Sequence, residues 1–252
     1  MSIHNSDIAD GGPLYSETLD HLHSGSDHWL VEPYNAASAV LFVLIAVYWL
    51  WRLWGQFSEQ KFLLYGLVLL TIGGVGGTLY HALRTEPIYL LMDWGPIMLL
   101  ILSLTYWFML KLTRTRWLSL AYTAGGFLAV LFTFQVLATV FRPGPATASI
   151  GYSLAALQAV GPIVYYIFRT RFKHSAWFFS GIAAFALAAV FRATDHSGLL
   201  PMGTHFLWHT FGAIMSWLLL EFIYRVERDD PLTIKAKLTG QVVVERVGAQ
   251  SG

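Results

Sequence analysis

Two histidines, His205 and His209, stand four residues apart at the head of an apolar run. On a helix that spacing sends both imidazoles from one face, a turn apart, which is how a helix offers two nitrogens to one metal ion. Two more polar residues lie inside hydrophobic stretches: His81, near the end of one, and Asp93, near the start of the next. An ionisable group in an apolar helix is costly, so each needs a partner or a task. Three imidazoles and a carboxylate match one chemistry well, a zinc ion held by three His with the fourth position left to water and the acid beside it. The chain has no cysteine. Disulfides and thiolate ligation are thereby excluded, and any metal must be held by His, Asp or Glu.

The elements that must position these residues are membrane helices. Of the 252 residues 56% are hydrophobic and 12% charged, with a mean hydropathy of +0.54, whereas soluble domains carry about 25% charged residues. Apolar runs at 34–51, 62–83, 88–110, 117–140, 149–168, 177–191 and 205–224 read as seven spans, most near the roughly 20 residues needed to cross hydrocarbon. The sixth is the shortest and is expected to borrow a turn from residues 192–194. Breakers separate the runs at Gly55, Pro87, Pro143-Gly144-Pro145 and between Gly198 and Pro201. The fold class is therefore an all-α membrane protein, a seven-transmembrane helix bundle.

Lysine and arginine test that count, because they gather on alternate loops only when the spans are counted correctly. Of the 16 in the chain, one side holds Arg84, Arg142 and Arg192, and the other holds the rest. The N-terminus is expected outside and the C-terminus in the cytoplasm. Residues 1–33 lack Lys and Arg but carry Asp7, Asp10, Glu17, Asp20, Asp27 and Glu32. Without the basic start and apolar centre of a signal peptide, they read as an acidic extramembrane arm, loosely structured. Residues 34–224 form the catalytic bundle and 225–252 a cytoplasmic tail, with a weak alternation at 233–247 that suggests a small hairpin. Trp29, Trp51, Trp54, Trp117 and Trp177 fall at span ends, where an indole anchors in the interface. Glu221 lies four residues before Arg225 and is expected to pair with it or to snorkel to the interface. No basic run with interleaved aromatics exists, which excludes a nucleic-acid partner.

Orientation assigns a depth to each polar residue. His81 closes an outward helix, Asp93 opens an inward one, and His205 and His209 open the last inward helix, so all four fall in the outer half of the membrane. Asp93 lies roughly 7 Å in from Ile88, and His209 roughly 6 Å deeper than His205. Gly73 and Gly77 share a face with His81, a small-residue pattern that marks close packing against another helix. Gly95-Pro96 is expected to loosen the third span just past Asp93. His4, His21, His23, His28 and His174 are expected to face solvent, and Asp195 and His196 to hydrogen-bond the site from outside.

Three motifs carry a resemblance: Gly77-Thr78-Leu79-Tyr80-His81, Asp93-Trp94-Gly95-Pro96 and His205-Phe206-Leu207-Trp208-His209. Together they resemble the alkaline ceramidase family, within the wider group of seven-helix membrane hydrolases and adiponectin-type receptors. That family has Ser-x-x-x-His, Asp-x-x-Pro and His-x-x-x-His at these places. Glu32-Pro33-Tyr34-Asn35-Ala36-Ala37-Ser38 is similar to the segment leading into the first helix of bacterial members. The resemblance spans roughly residues 27 to 224. It implies zinc ligands at His81, His205 and His209, Asp93 as acid and base, and a bacterial inner-membrane protein with its site toward the outer side. Where the family has serine this chain has Gly77. Thr78 is then the nearest hydroxyl to steady an oxyanion, and Tyr80 stands next to it. Tyr80 and Asp195 are expected to back the ligands. Asp27, Trp29, Glu32 and Asn35 match part of an acidic calcium cluster, and Asp27, Glu32 and Asn35 are the residues expected to bind calcium or steady the loop, the reading here being against calcium.

The function these observations favour is zinc-dependent hydrolysis of a lipid N-acyl bond, with ceramide the substrate the resemblance implies. A receptor or lipid-binding protein with a structural zinc is the alternative. A b-type haem protein is a further one, with one His from each of two helices as axial ligands, which leaves Asp93 unexplained. Retinal is disfavoured, because residues 205–224 contain no lysine for a Schiff base.

Overall fold

The computed structural model describes residues 8–25, 28–140 and 145–229. Among these the elements are all helical: α1 (Ser16–Ser24), α2 (Pro33–Arg52), α3 (Lys61–Leu83), α4 (Pro87–Thr113), α5 (Arg116–Val140), α6 (Pro145–Arg169), α7 (Ser175–Ala193) and α8 (His205–Asp229), with a 3-10 turn at Asp195–Ser197. Proline opens α2 and α4, where its missing N–H costs nothing and its fixed φ suits the first turn. Six of the long helices, all but α6, are long and apolar enough to cross a membrane. The chain is a multi-pass membrane protein, and α6, 25 residues long, is the seventh long helix. As expected, α7 extends through Arg192 to Ala193.

Neighbouring helices form a ring in the order α2, α3, α4, α6, α7, α8 and back to α2, with α5 outside it against α4 and α6. The least close pairing within the ring, among the described residues, is α6 with α7. At the end where Arg52, Lys61, Lys111 and Arg225 gather, an aromatic and aliphatic core packs around Trp49, Leu63, Phe108, Tyr166 and Phe222. The opposite end carries the histidines. Of the five tryptophans expected as anchors, Trp29, Trp51, Trp54 and Trp117 are more than two-thirds exposed. Trp177 instead packs against the core, with the Arg225 guanidinium 4.9 Å over its ring.

Three expectations are revised. The arm is ordered: α1 forms within it, and Asp10, Tyr15, Glu17 and Thr18 are buried against the histidine end. Helix α8 runs to Asp229, past the expected bundle boundary; the proposed hairpin, with His4, Asp7 and Asp27, lies outside the described residues. The glycine face is wider than the expected Gly73 and Gly77 pair: both of these face α4, a Cβ at Gly77 meeting Asp93 Oδ1 at 2.6 Å, and Gly76 approaches α4 as well. Gly76 is the closest point, where an added Cβ would meet Met92 and the Asp93 backbone N at 2.9 Å, whereas Gly73 has only ordinary contact with Pro96 at 3.6 Å. The α3 and α4 backbones therefore touch at the turn that carries Asp93.

Candidate metal centre

Helix α8 starts at His205 because Asp195 caps it. Asp195 Oδ1 accepts the backbone N–H groups of Thr204 at 2.7 Å and His205 at 2.8 Å, satisfying donors that a first turn leaves open and placing negative charge at the positive end of the helix. Gly203, at φ +77, makes the turn before it, and a side chain there would strike Asp195 Oδ1. The cap fixes the first turn, and with it the direction of His205 and, one turn on, His209. Asp195 thus acts on His205 through the backbone, while its Oδ2 lies 3.9 Å from His196 Nδ1.

His81, fully buried, is held differently. Its Nδ1–H donates to Glu32 Oε2, which fixes the tautomer and leaves the Nε2 lone pair for another partner. Glu32 is held in turn: Oε1 accepts from Arg84 Nη1 and Thr18 Oγ1, and Oε2 also accepts from Asn35 Nδ2 at 3.0 Å. Burial alone pushes the Glu32 carboxyl up, but His81, Arg84 and Thr18 outweigh it and bring it to about 2. Arg84 leaves α3 in the left-handed conformation, φ 52, which costs a non-glycine residue about 1 kcal/mol. That turn lets its guanidinium reach Asp10 Oδ2 at 2.6 Å, Asp10 Oδ1 at 3.1 Å and the Pro13 carbonyl at 3.0 Å.

The imidazoles converge. One ligand atom from each of His81, His205 and His209 lies within 4.8 Å of the others, and the Nε2 atoms of His205 and His209 are 3.1 Å apart. Two nitrogens at about 2.0–2.1 Å from a tetrahedral zinc would be about 3.4 Å apart. His205 and His209 can share one proton, but among the described residues His81 Nε2 is buried with no hydrogen-bond partner, as are the Nδ1 atoms of His205 and His209. A cation taking all three Nε2 lone pairs would remove the deficit at His81, so the donor set fits zinc.

Asp93 lines the same cavity as His209. A side chain at Gly77 would sit 2.6 Å from Asp93 Oδ1, so the carboxylate occupies the space that the family serine would need. Thr78 does not take over from that serine. Its one hydroxyl proton goes to the Gly74 carbonyl at 2.7 Å, the common back-bond of a helical threonine. Tyr80 is buried edge-on to His81, ring centroids 4.8 Å apart, with Arg84 4.6 Å over its own ring, and so supports His81 from behind. The calcium reading finds no free carboxylate at Glu32, whose oxygens all end on protein donors; Glu32 and Asn35 steady the loop and aim His81. His23 and His28 are exposed, while His21 and His174 are half-buried, His174 lying 3.6 Å from Asp229. His196 Nε2–H donates to the Leu14 carbonyl at 3.0 Å and so fastens the arm.

The arm is the part the sequence did not disclose. Ser16 N–H donates to Asp195 Oδ2 at 2.9 Å and its hydroxyl to the Asp195 carbonyl at 2.8 Å. Glu17 accepts the N–H groups of Tyr34 and Asn35 at 2.8 and 2.9 Å, capping α2. Between them Tyr15, 2% exposed, stacks on His205 with ring centroids 3.8 Å apart and planes 20° from parallel. Burial pushes its phenol up to about 12. An aromatic residue in an otherwise acidic arm was the only signal of this role.

From His209 an apolar cavity of ≈ 210 Å³ extends toward the basic end. Asp93, Trp208 and His209 line one end, and Phe62, Leu63 and Ile223 the other. From His209 to Ile223 it follows α8 for roughly 21 Å. A polar head at the histidines with a long hydrocarbon chain behind it fits this shape. Compared with models of protein families the chain matches none, and no curated protein matches it.

Proposed function

We propose that this protein is a zinc-dependent intramembrane amidase that hydrolyses the N-acyl bond of a lipid such as ceramide, and that it is a relative of the alkaline ceramidases its motifs resemble. One observation carries this: three imidazole nitrogens converge, one of them with no partner among the described residues, and the His209 ring lines a long apolar cavity together with Asp93. All seven long helices would span the membrane, with the basic end in the cytoplasm and the histidine end outside, as the skewed lysine and arginine distribution supports. The arm covers the outer side, so a lipid would enter sideways, where α6 and α7 pack least closely.

Zinc held by His81, His205 and His209 would supply a water acidic enough to act near neutral pH. Asp93 would accept a proton from water as the water oxygen adds to the amide carbon, and would return it to the nitrogen as the C–N bond breaks. The products are a fatty acid and an amine. Glu32 holds His81 in the tautomer this requires, Asp195 holds the first turn of α8, and the acyl chain lies along the cavity toward Ile223.

Mass spectrometry on a panel of N-acyl lipids, with elemental analysis of the same preparation, tests the proposal. Fatty-acid release that stops with chelator and returns with zinc is expected, and a His205→Ala, His209→Ala double variant should lose the metal. Asp93→Asn should keep zinc and lose on the order of 10²-fold or more in turnover, since an amide cannot take the proton. Bound zinc with no turnover on any lipid would favour the binding-protein alternative.

A further inference from the structure

Negative charge develops on the carbonyl oxygen when water adds to an amide, and a hydrogen-bond donor placed to meet it is worth about 10²-fold in rate. The α3 turn that faces Asp93 offers none. Gly77 has no side chain, and the Thr78 hydroxyl is committed to Gly74. Tyr15 also lies against the imidazoles. Its ring lies 3.8 Å from that of His205 and 5.5 Å from that of His81, and its phenol is within electrostatic reach of Asp93 and Arg192. The hydrogen bond Tyr15 donates goes through its backbone N–H, to Thr18 Oγ1 at 3.0 Å, which leaves the phenol proton uncommitted among the described residues. The ring is fixed on both flanks, by Arg84 with Asp10 on one and by Ser16 with Asp195 on the other. A buried phenol held this firmly against a ligand ring is more than packing requires, since phenylalanine would fill the stack equally well.

We infer that Tyr15 is a catalytic residue of the proposed amidase, its phenol donating a hydrogen bond to the carbonyl oxygen of the substrate. This rests on the amidase reading. In the step concerned, the water oxygen bonds to the carbonyl carbon, the carbonyl π pair moves onto oxygen and the water proton passes to Asp93. Tyr15 keeps its proton and donates only a hydrogen bond. Collapse restores the carbonyl, breaks the C–N bond and sends the proton of Asp93 to nitrogen. The arm, which carries no ligand, would thereby supply a working group to the site it covers.

Tyr15→Phe keeps the stack on His205 and removes only the hydroxyl. Turnover is expected to fall about 10²-fold with little change in KM, in zinc content or in melting temperature. A second readout does not need hydrolysis: hexadecanoate, whose carboxylate puts an oxygen where the oxyanion would be, is titrated into chelator-treated and zinc-loaded protein. The variant should bind it about tenfold more weakly in both forms, the scale of one hydrogen bond to a charged group. Wild-type turnover in Tyr15→Phe would overturn the assignment and leave the amidase reading standing. If the wild-type protein hydrolyses no lipid of the panel yet the variant still binds hexadecanoate more weakly, the amidase reading falls and Tyr15 stands as a carboxylate donor. Equal binding by the two proteins, or no binding by the wild type, counts against Tyr15 in either case.

Discussion

The two ends of the bundle both bury charge, and they use it differently. At the basic end Glu221 takes Arg52 at 2.5 Å on one oxygen and Arg225 at 2.7 Å on the other, which clasps α2 to α8 above an aromatic core. Those charges end on one another. At the histidine end Asp10, Arg84 and Glu32 form a chain that ends on the Nδ1 of an imidazole whose other nitrogen has no partner among the described residues. One set of ion pairs staples helices together, and the other aims a ring. The contrast shows why counting buried ion pairs says little about function until the last group in each chain is identified.

That contrast can be broken by removing one cation from each end. Arg84→Met should be the more damaging, because it strands Asp10 and Glu32 in the interior; breaking a buried pair costs about 3–5 kcal/mol. Thermal unfolding reports that loss, and rapid protease cutting of the arm should accompany it. Arg52, whose side chain is 29% exposed, should cost about 1 kcal/mol or less when changed to Met, with zinc affinity untouched. Equal loss of zinc binding in the two variants would erase the distinction between the ends.

Glu32→Gln sharpens the same point with a smaller change. Zinc affinity should weaken by about 10–100-fold, the usual effect of removing a carboxylate behind a metal-bound histidine; competition with a chromophoric chelator measures it, and an unchanged affinity would reduce Glu32 to a loop fastener.

The smallest effect concerns Glu17, which burial raises from its ordinary 4.5 to about 7 against the opposing pull of the Tyr34 and Asn35 N–H groups. Between those values the docked arm holds a proton that the undocked arm has released. Docking is therefore strongest below pH 4.5 and weakens as pH rises through about 7. The rate of protease cutting in the arm should rise over that interval and flatten in Glu17→Gln; cutting that slows instead would reverse the sign.

The bundle was legible in the sequence because its signals are local. An apolar run announces a helix, a proline or glycine announces its end, and His205 and His209 need only one helix to share a face. Asp93 and His81 were legible because a polar residue in an apolar run stands out. The partners were not. Glu32 lies 49 residues from His81 and Asp10 lies 74 from Arg84, and in sequence both are simply acidic residues of a polar arm. Thr78 shows the opposite error: a hydroxyl on the right face was credited with a task, although the carbonyl four residues back was always the nearer acceptor. The lysine and arginine bias carried a hint as well. Arg84 and Arg192, two of its three exceptions, are 4% and 5% exposed, so these two cations that break the pattern are ones the fold takes inside.

The arm has a consequence for the order of assembly. Ser16 meets Asp195 across 179 residues of chain, and Tyr15 meets a ring on the last helix. A chain made from its N-terminus exposes the arm first and its docking groups last, so this contact is among the most non-local in the molecule and closes late. Until then the three imidazoles are open to solvent on the side that Tyr15 later covers. An ion of the proposed kind would enter on this side before closure, and afterwards could leave on this side only as the arm undocks. Exchange through this side would be set by the opening of one short helix and its anchors, a local unfolding rate rather than an affinity.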